Sequence, residues 1–430
     1  MVHSLTWAAG RRRWGGILGC LAGIVMVAGA YPQTDPEAYR EALRKAEEAK
    51  RAGDFAAMAA AIRTALQHGP GDEYAWRSLA WALDRAGQWQ ESLAMARENV
   101  ARNGVCGWSL EQLAESYLGA GDFAAAREAL DQAEALPAEK IGSAREALNH
   151  TRQRLLDLTG QRRYQLHWQV DLGQGGPDEP PARLLMPRWN DPRQSFEFTV
   201  SNAVSWERVS TGPRDFIDVV QKPGEPFQID ATVTIKAFAL GRKALLQPTP
   251  FQVPEALQSC LTPFHHSTVF DPALPLCAEI ATSLKADSMA QTVQNVLDWQ
   301  HANMKYESVD GCSLEQILTD KKGVCHHFCS SFVALCRAAG VPAAVAHGIV
   351  LPAAGEFHGS NGSHGWALVY IVPFGWVPVE PLDPGSLALF GRSNYLLTDY
   401  ANLTPDDDHF AYRSIQGFPC DGEVVAVEPP

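Results

Sequence analysis

Hydrophobic and polar positions follow different periods along this chain, and the period changes twice. From about residue 35 to 158 the sequence is rich in alanine, and apolar residues recur at three- and four-residue steps. Between about 163 and 246 apolar and polar residues alternate, most clearly in 164–170, 195–200 and 229–235. Beyond about 275 helical patterns come first and strand patterns follow. The patterning predicts a multidomain protein with a helical region, an antiparallel β domain and an α+β domain.

A 34-residue repeat organises the helical region. Gly53, Gly87 and Gly121 follow one another at intervals of 34 residues, and each begins a Gly-polar-aromatic triplet. This period resembles that of tetratricopeptide repeats, in which glycine makes the turn inside each helical hairpin. We therefore expect tetratricopeptide-like repeats over 31–160, with a plain helical bundle as the alternative. Such a stack offers a concave surface to a peptide or protein partner, or serves as a spacer.

The alternating region, 161–250, predicts an antiparallel β-sandwich. Its strand patterns are separated by Pro- and Gly-rich turns such as 173–181. It contains no cluster of catalytic residue types, and we expect Trp189 and Trp206 to pack in the core. A Pro-rich link at 247–254 then leads to the last predicted domain, 255–430.

Helical patterns in this last domain end in a helix that begins at a cysteine. Helices are predicted over 278–284, 290–301 and 314–318, and a further helix starts at Cys325 and ends at Gly340. A thiol in the first helical turn lies at the positive end of the helix dipole, which favours the thiolate. The N–H groups there also suit a developing oxyanion. The alternative is that Cys325 is a small buried apolar residue.

A histidine and a carboxylate follow on two strands. His364 begins the strand pattern 364–372, and Glu380 ends the pattern 376–381 after a short turn. In an antiparallel hairpin the start of one strand lies beside the end of the other, so His364 and Glu380 are expected at the same end. A thiol, an imidazole and a carboxylate in that order suit a nucleophile, a base and an orienting acid.

These segments resemble the transglutaminase-like superfamily of papain-type thiol enzymes. The matching segments are 323–325, 335–343, 364–366 and 376–381, with a lead-in over 293–306. The resemblance spans roughly 275–415. It implies an α+β papain-like core without a cofactor, in which Cys325 is the nucleophile, His364 the base and residue 380 the acid.

Position 380 departs from the family pattern, because the family has Asp there and this chain has Glu. The added methylene moves the carboxylate by about an ångström and requires a different rotamer. Glu serves as the acid in related triads, so we expect Glu380 to act here. Asp383, three residues on, is the alternative acid, although it lies in a turn-like segment.

Composition excludes some partners. Hydrophobic residues make up 46% of the 430 residues, and 12 Trp are present, which indicates a folded protein. The formal charge of −13 argues against nucleic acid as a partner. Residues 11–13 are arginines and 14–30 are apolar, so we expect 1–30 to be a signal peptide and the protein to be periplasmic or secreted. Contact with a membrane is expected only if this segment is retained as an anchor.

The cysteines fit no disulfide scaffold and no common metal site. Cys260 and Cys277 are the most plausible disulfide pair by proximity, and Cys312 with Cys420 is a further option. The Cys-His-His-Phe-Cys run at 325–329 matches no common zinc spacing, so no metal is predicted.

The sequence thus predicts an exported cysteine-nucleophile enzyme that acts on amide bonds by acyl transfer, either to water as a peptidase or to an amine as a transglutaminase. Its substrate would be a protein or peptide, and the helical repeats would dock a partner. The alternative is a transglutaminase-like binding or assembly module with weak or no catalytic activity, which the Glu at 380 and the repeat domain would suit.

Overall fold

The structure is a computed structural model, and it describes residues 35–69, 72–172, 181–211, 214–261, 271–309, 313–358, 363–383, 385–389, 393–401 and 421–428. The predicted signal peptide (1–30), Cys312 and Cys420 lie outside these residues. The chain divides into two compact units. The first extends to Ser116 and includes Leu136–Gly142, and the second comprises Tyr117–Ala135 and the residues from Ser143 onward.

Helices form the N-terminal region, as the apolar spacing predicts. They are α1 Pro36–Ala52, α2 Phe55–His68, α3 Glu73–Arg85, α4 Trp89–Asn103, α5 Gly107–Ala120, α6 Phe123–Glu134, α7 Ala138–Ile141 and α8 Arg145–Thr159. The 34-residue period corresponds to the hairpins α1–α2, α3–α4 and α5–α6. The predicted helical repeats are therefore confirmed.

The repeated glycines make the turns inside these hairpins. Gly53, Gly87 and Gly121 have φ angles of 76°, 78° and 77°, a left-handed conformation that glycine adopts without steric cost. The next residue begins the second helix in two of these hairpins. Asp54 accepts a hydrogen bond from the Ala57 N–H (2.9 Å), and Asp122 accepts one from the Ala125 N–H (3.4 Å). The Gly-Asp pair thus ends one helix and caps the next.

Strands form the middle of the chain and much of its C-terminal part. They are β1 Gln161–Val170, β2 Ala182–Met186, β3 Asn190–Asp191, β4 Gln194–Ser201, β5 Ala203–Thr211, β6 Arg214–Gln221, β7 Phe227–Lys236, β8 Lys305–Tyr306, β9 Lys322–Gly323, β10 Ala343–Val350, β11 Gly355–Phe357, β12 Ser363–Ile371, β13 Gly375–Val379, β14 Tyr395–Ala401 and β15 Gly422–Glu428.

The middle region is an antiparallel sandwich. One sheet has the order β11-β15-β1-β7-β4-β3, and the facing sheet has the order β2-β6-β5. Alternate residues of both sheets share one apolar core, which includes Trp168, Phe196 and Ile217. Trp206, which we expected in the core, is 36% exposed. The core expectation is therefore wrong for this residue, because it lies on the edge strand β5.

Strands from the C-terminal region complete the sandwich. β15 pairs with β1, and β11 pairs with β15, both antiparallel. The sheet therefore joins strands from both sides of the predicted boundary at 250. The Gly-rich segment 353–363 contains β11, whose Phe357 packs against Trp168 with ring centroids 5.9 Å apart. That partner is distant in the sequence, so local composition does not reveal the strand.

The C-terminal region is an α+β unit built around the predicted cysteine helix. Its helices are α9 Pro275–Leu284, α10 Met289–Asn303, α11 Leu314–Asp320, α12 Cys325–Ala338 and the short α13 Ser386–Leu389. A four-stranded antiparallel sheet with the strand order β13-β12-β10-β14 packs on α12. Phe332 and Leu335 of α12 are fully buried in that interface. Among the described residues, no helix is long and apolar enough to cross a membrane.

Candidate active site

The helix α12 begins at Cys325, where the sequence predicts it. Val324 precedes the helix in an extended conformation (φ −105°, ψ −173°), and its N–H donates to Nδ1 of His327 (3.1 Å). A Cβ atom at Gly323 would overlap the His327 side chain, so this close approach requires glycine. The imidazole of His327 thus caps the first turn and must be neutral at Nδ1 to do so. Burial lowers the pKa of His327 to about 4, and the His326 charge adds to the effect.

The hairpin β12–β13 brings His364 and Glu380 together. Its register pairs Ala367 with Val379, which leaves the start of β12 beside the residue that follows β13. His364 Nε2 lies 2.6 Å from Oε2 of Glu380. The two residues therefore meet as the hairpin geometry predicts, despite the added methylene of the glutamate.

The Glu380 carboxylate is held by further donors. The Leu382 N–H donates to Oε1 (3.2 Å), and the Tyr395 hydroxyl lies 3.3 Å from Oε2. The hydroxyl of Ser386 donates to the Glu380 carbonyl (2.9 Å) and accepts from its N–H (3.1 Å). With only 6% of the residue exposed, Glu380 is a buried carboxylate whose oxygens have hydrogen-bond partners.

Asp383, the alternative acid, lies in the turn after Glu380. Its N–H donates to the Glu380 carbonyl (2.9 Å), and its Oδ1 accepts from the Gly385 N–H (2.9 Å). The residue is exposed. Its carboxylate thus caps its own turn, whereas the carboxylate beside His364 is that of Glu380.

The thiol of Cys325 is electrostatically coupled to His364. Burial acts to raise the thiol pKa, but hydrogen bonds from His326 and His364, the His364 charge and the Gly365 N–H outweigh it and lower the pKa of Cys325 to about 6. Burial acts to lower the pKa of His364, but the contacts with Cys325 and Glu380 outweigh it and raise the pKa to about 9. Both shifts favour a thiolate–imidazolium pair over the neutral thiol and imidazole.

Tyr306 adds a second polar group beside the thiol. The backbone N–H of Cys325 donates to the Tyr306 hydroxyl. The Tyr306 ring packs 6.3 Å from Phe328, and 55% of the residue is exposed. This residue ends the lead-in segment 293–306, which was its only signal in the sequence. No sequence pattern pointed to Tyr395.

The other described cysteines of the α+β unit are buried. Cys329 donates to the Gly365 carbonyl (3.1 Å), and burial raises the pKa values of Cys329 and Cys336 well above the ordinary range. Cys277 is a free thiol, so the Cys260–Cys277 disulfide does not form and that expectation is wrong. In the part of the chain that the structure describes, no group of His, Cys, Asp and Glu side chains is arranged to hold a metal ion.

A known protein family matches part of this α+β unit. Residues 276–381 match the family model of the transglutaminase-like superfamily. An uncharacterized protein from Haemophilus influenzae is 40% identical over 114 residues, which cover 21% of this chain and 31% of that protein. The chain thus matches about a third of the length of this curated relative.

Two solved structures that match this chain have low sequence identity to it and low TM-scores. A putative cysteine protease from Cytophaga hutchinsonii is 16% identical with a TM-score of 0.41, and covers 62% of this chain and 86% of its own. The periplasmic domain of TgpA from Pseudomonas aeruginosa is 14% identical with a TM-score of 0.29, and covers 53% and 88%. The match of the family model coincides with the segment that holds Cys325, His364 and Glu380, and the chain therefore contains a domain of the transglutaminase-like superfamily at residues 276–381.

Proposed function

We propose that this protein is a cysteine-dependent enzyme that transfers acyl groups from amides, with Cys325 as nucleophile, His364 as acid and base, and Glu380 as the orienting carboxylate. The observation that carries the proposal is the placement of the three side chains, with Cys325 at the start of α12 and His364 Nε2 2.6 Å from Oε2 of Glu380. The lowered pKa of Cys325 and the raised pKa of His364 support it. Perturbed pKa values of this kind mark functional sites more often than structural ones.

The reaction follows from the ionic pair. The Cys325 thiolate attacks the amide carbonyl carbon, and the carbonyl electrons move onto oxygen. The Tyr306 hydroxyl accepts from the Cys325 N–H and keeps its own proton, and it is the donor that we assign to this oxyanion. The His364 imidazolium gives its proton to the leaving amine as the C–N bond breaks, which leaves an acyl-Cys325 thioester and a neutral imidazole.

The second half of the reaction returns the enzyme to its starting state. Neutral His364 takes a proton from the acceptor, which is water in hydrolysis or a primary amine in transfer. The acceptor attacks the thioester, and the Cys325 thiolate leaves. Glu380 holds the imidazole in place throughout and stabilises the imidazolium.

A glutamine-containing peptide library, incubated with and without a primary amine and analysed by mass spectrometry, tests this proposal. Peptide cleavage, glutamine deamidation and amine incorporation are distinct products of one thioester. The variant Cys325→Ala should abolish all of them and the alkylation by iodoacetamide at residue 325. Cys106, half-buried in the helical region, is the matched control, because Cys106→Ala should leave activity unchanged. Undiminished turnover by Cys325→Ala would refute the proposal.

The alternative is a binding or assembly module without catalysis. It predicts that the thiol of Cys325 has an ordinary pKa, near 8.5 for free cysteine. The hydrogen bonds from His326 and His364 to the sulfur favour the enzyme over this alternative. The pH dependence of Cys325 alkylation separates the two functions even if no substrate is identified.

We also propose that the helical repeats dock a protein or peptide partner. Arg77 of α3 lies 4.1 Å from the Trp108 ring and 5.5 Å from the Tyr74 ring, so the first helices of successive hairpins present a cation and aromatic rings together. A photo-crosslinking residue in place of Tyr74, combined with Arg77→Glu, tests this docking. Crosslinked partner peptides should be lost in the Glu variant, and equal yields would count against the proposal.

Export is proposed from residues 1–30. Their arginines and apolar run support an exported, periplasmic or secreted protein, with retention as a membrane anchor as the alternative. Fractionation of cells followed by N-terminal mass analysis distinguishes the two. A mature N-terminus at Tyr31 supports export with cleavage, whereas an intact N-terminus in the membrane fraction supports the anchor.

A further inference from the structure

The glutamate at position 380 poses a geometric problem. Compared with aspartate, it has one more methylene group and one more rotatable bond, and its carboxylate can reach more positions. An orienting acid must hold one position within a fraction of an ångström to fix the imidazole. Something other than the side chain itself must therefore restrict this carboxylate.

The contacts of the carboxylate supply that restriction from opposite sides. The Leu382 N–H holds Oε1 at 3.2 Å, two residues away along the chain. The Tyr395 hydroxyl lies 3.3 Å from Oε2, the same oxygen that meets His364 at 2.6 Å. A hydroxyl and an imidazole N–H that share one carboxylate oxygen, with the other oxygen held by the backbone, fix both the direction and the rotation of the group.

Tyr395 reaches this oxygen from a distant strand. It begins β14, and the sheet order places β10 between β14 and the strand β12 that carries His364. The Tyr395 ring packs edge-on against His364 (5.6 Å) and against Trp366 (5.1 Å). On the intervening strand, a Cβ atom at Gly348 would overlap the Leu396 carbonyl and crowd Trp366. The aromatic rings thus cross β10 at a glycine, and their packing fixes where the hydroxyl points.

We propose that Tyr395 is a positioning residue of the active site, whose hydroxyl holds the Glu380 carboxylate against His364 and so allows a glutamate to act as the orienting acid. This inference rests on the proposed function, because it assigns Tyr395 a role in the same site. The Tyr395 hydroxyl donates a hydrogen bond and transfers no proton.

The role has a measurable consequence at the thiol. Without the hydroxyl the carboxylate can rotate away from His364, and the imidazolium loses stabilisation. The Cys325 thiolate is then less favoured, because it is paired with that imidazolium. A tyrosine that only filled space would leave the titration of the thiol unchanged when its hydroxyl is removed.

The variant Tyr395→Phe tests this, since it keeps the ring and removes the hydroxyl. The test follows the rate of Cys325 alkylation by iodoacetamide as a function of pH in the full-length protein. The modified peptide is quantified by mass spectrometry. The apparent pKa of the thiol should rise by about one pH unit, a tenfold change in the equilibrium. The matched control is Tyr370→Phe, in the same sheet but packed edge-on against Trp376 (5.6 Å). It should leave the alkylation profile as in the wild type.

A double-mutant cycle tests the link to the glutamate. Glu380→Asp draws the carboxylate back from the hydroxyl, which is already 3.3 Å away. If Tyr395 serves the longer side chain, Tyr395→Phe should shift the thiol profile much less when it is combined with Glu380→Asp, by about a third of a pH unit or less. An equal shift with and without Glu380→Asp would overturn the proposal, as would a Tyr395→Phe profile that matches Tyr370→Phe.

These outcomes are distinct from a failure of the proposed function. If Cys325 of the wild-type protein titrates as an ordinary thiol, the enzyme proposal fails and this inference fails with it. If the wild type titrates at the lowered pKa of about 6 and Tyr395→Phe does the same, only the positioning role is refuted.

Discussion

His364–Glu380 and His347–Asp399 are buried histidine–carboxylate pairs in the same sheet with similar geometry. The His364 pair joins Nε2 to Oε2 at 2.6 Å, and the His347 pair joins Nδ1 to Oδ1 at 3.2 Å. The side-chain exposures are 16% and 8% in the first pair and 18% and 12% in the second. His347 and His364 even lie on adjacent strands, in successive pairs of the β10–β12 register. Neither burial nor the acid separates the two pairs.

The neighbours separate them. His364 has a thiol on its other side, at the N-terminus of α12, so the imidazole has hydrogen bonds with both a thiol and a carboxylate. Asp399 instead has a guanidinium on its other side, with Arg214 Nε 3.3 Å from Oδ2. Burial acts to raise the pKa of Asp399, but His347 and Arg214 outweigh it and lower the pKa. The Asp399 network therefore ties β10 and β14 to β6 of the sandwich.

A histidine beside an acid is thus an incomplete signal for catalysis. The pair becomes chemically useful when its histidine also meets a group that can accept or lose a proton. It is structural when its carboxylate is held by a fixed cation.

The largest expected effect is that of removing the imidazole. His364→Gln should return the pKa of Cys325 toward the free value near 8.5 and slow its alkylation at pH 7 by about thirtyfold. His347→Gln should change the alkylation rate by no more than about twofold. Rates of iodoacetamide labelling at Cys325, with Cys106 as the internal reference, decide this. Similar rates for the two variants would remove the distinction between the pairs.

The next effect is that of pH on the wild-type protein. The pKa of Cys325 is lowered to about 6, so thiolate is gained as the pH rises through 6, and alkylation should fall about tenfold between pH 7.5 and pH 5. The pKa of His364 is raised to about 9, so its proton is lost above that value. Amide turnover should therefore also decline above pH 9, whereas alkylation should not. A single ascending limb near pH 8.5 in both assays would contradict the ion pair.

A smaller effect is expected when the acid is neutralised. The charge of Glu380 and its hydrogen bond both raise the pKa of His364, and Glu380→Gln removes the first and weakens the second. Because the His364 imidazolium stabilises the Cys325 thiolate, alkylation of Cys325 at pH 6 should fall by about fivefold. Asp399→Asn, the matching change in the other pair, should leave this rate at the wild-type value. An equal loss in both variants would show that the carboxylates act through the fold and not through the thiol.

The smallest effect concerns stability. The pKa of Asp399 is lowered in the folded protein, so its contribution is present above the unfolded pKa near 3.9 and is lost as the pH falls through the folded value. Asp399→Asn should lower the free energy of unfolding by about 1–3 kcal/mol at pH 7 and by less at pH 3. Urea midpoints at the two pH values measure this, and a pH-independent difference would contradict the ionic account.

Much of the fold could be predicted because its periods are local. The turn glycines at a 34-residue spacing, the alternation in 229–235 and the helix from Cys325 each depend on residues close in sequence. The sequence did not predict β11 and β15, because their partners are distant along the chain. β11 pairs with β15 across more than 60 residues, and β15 pairs with β1 across more than 250 residues. The Cys260–Cys277 pairing was wrong for a similar reason, since proximity in sequence does not bring two thiols into bonding geometry.

Part of the candidate site was also predictable. Cys325, His364 and Glu380 could be named because a helix start and a tight hairpin have fixed local geometry. Tyr395 and Tyr306 could not, because they reach the site from a distant strand and from a lead-in segment whose path depends on packing.

The sequence by itself determined which residue types stand at the helix start and at the hairpin end, and therefore which thiol, imidazole and carboxylate are available there. The tertiary structure alone decided what surrounds each of them: a thiol beside His364, a guanidinium beside Asp399, and a tyrosine hydroxyl on the longer carboxylate. Helices and hairpins are specified by neighbours in the chain, whereas pKa values and side-chain positions depend on charges and donors that only folding brings within a few ångströms.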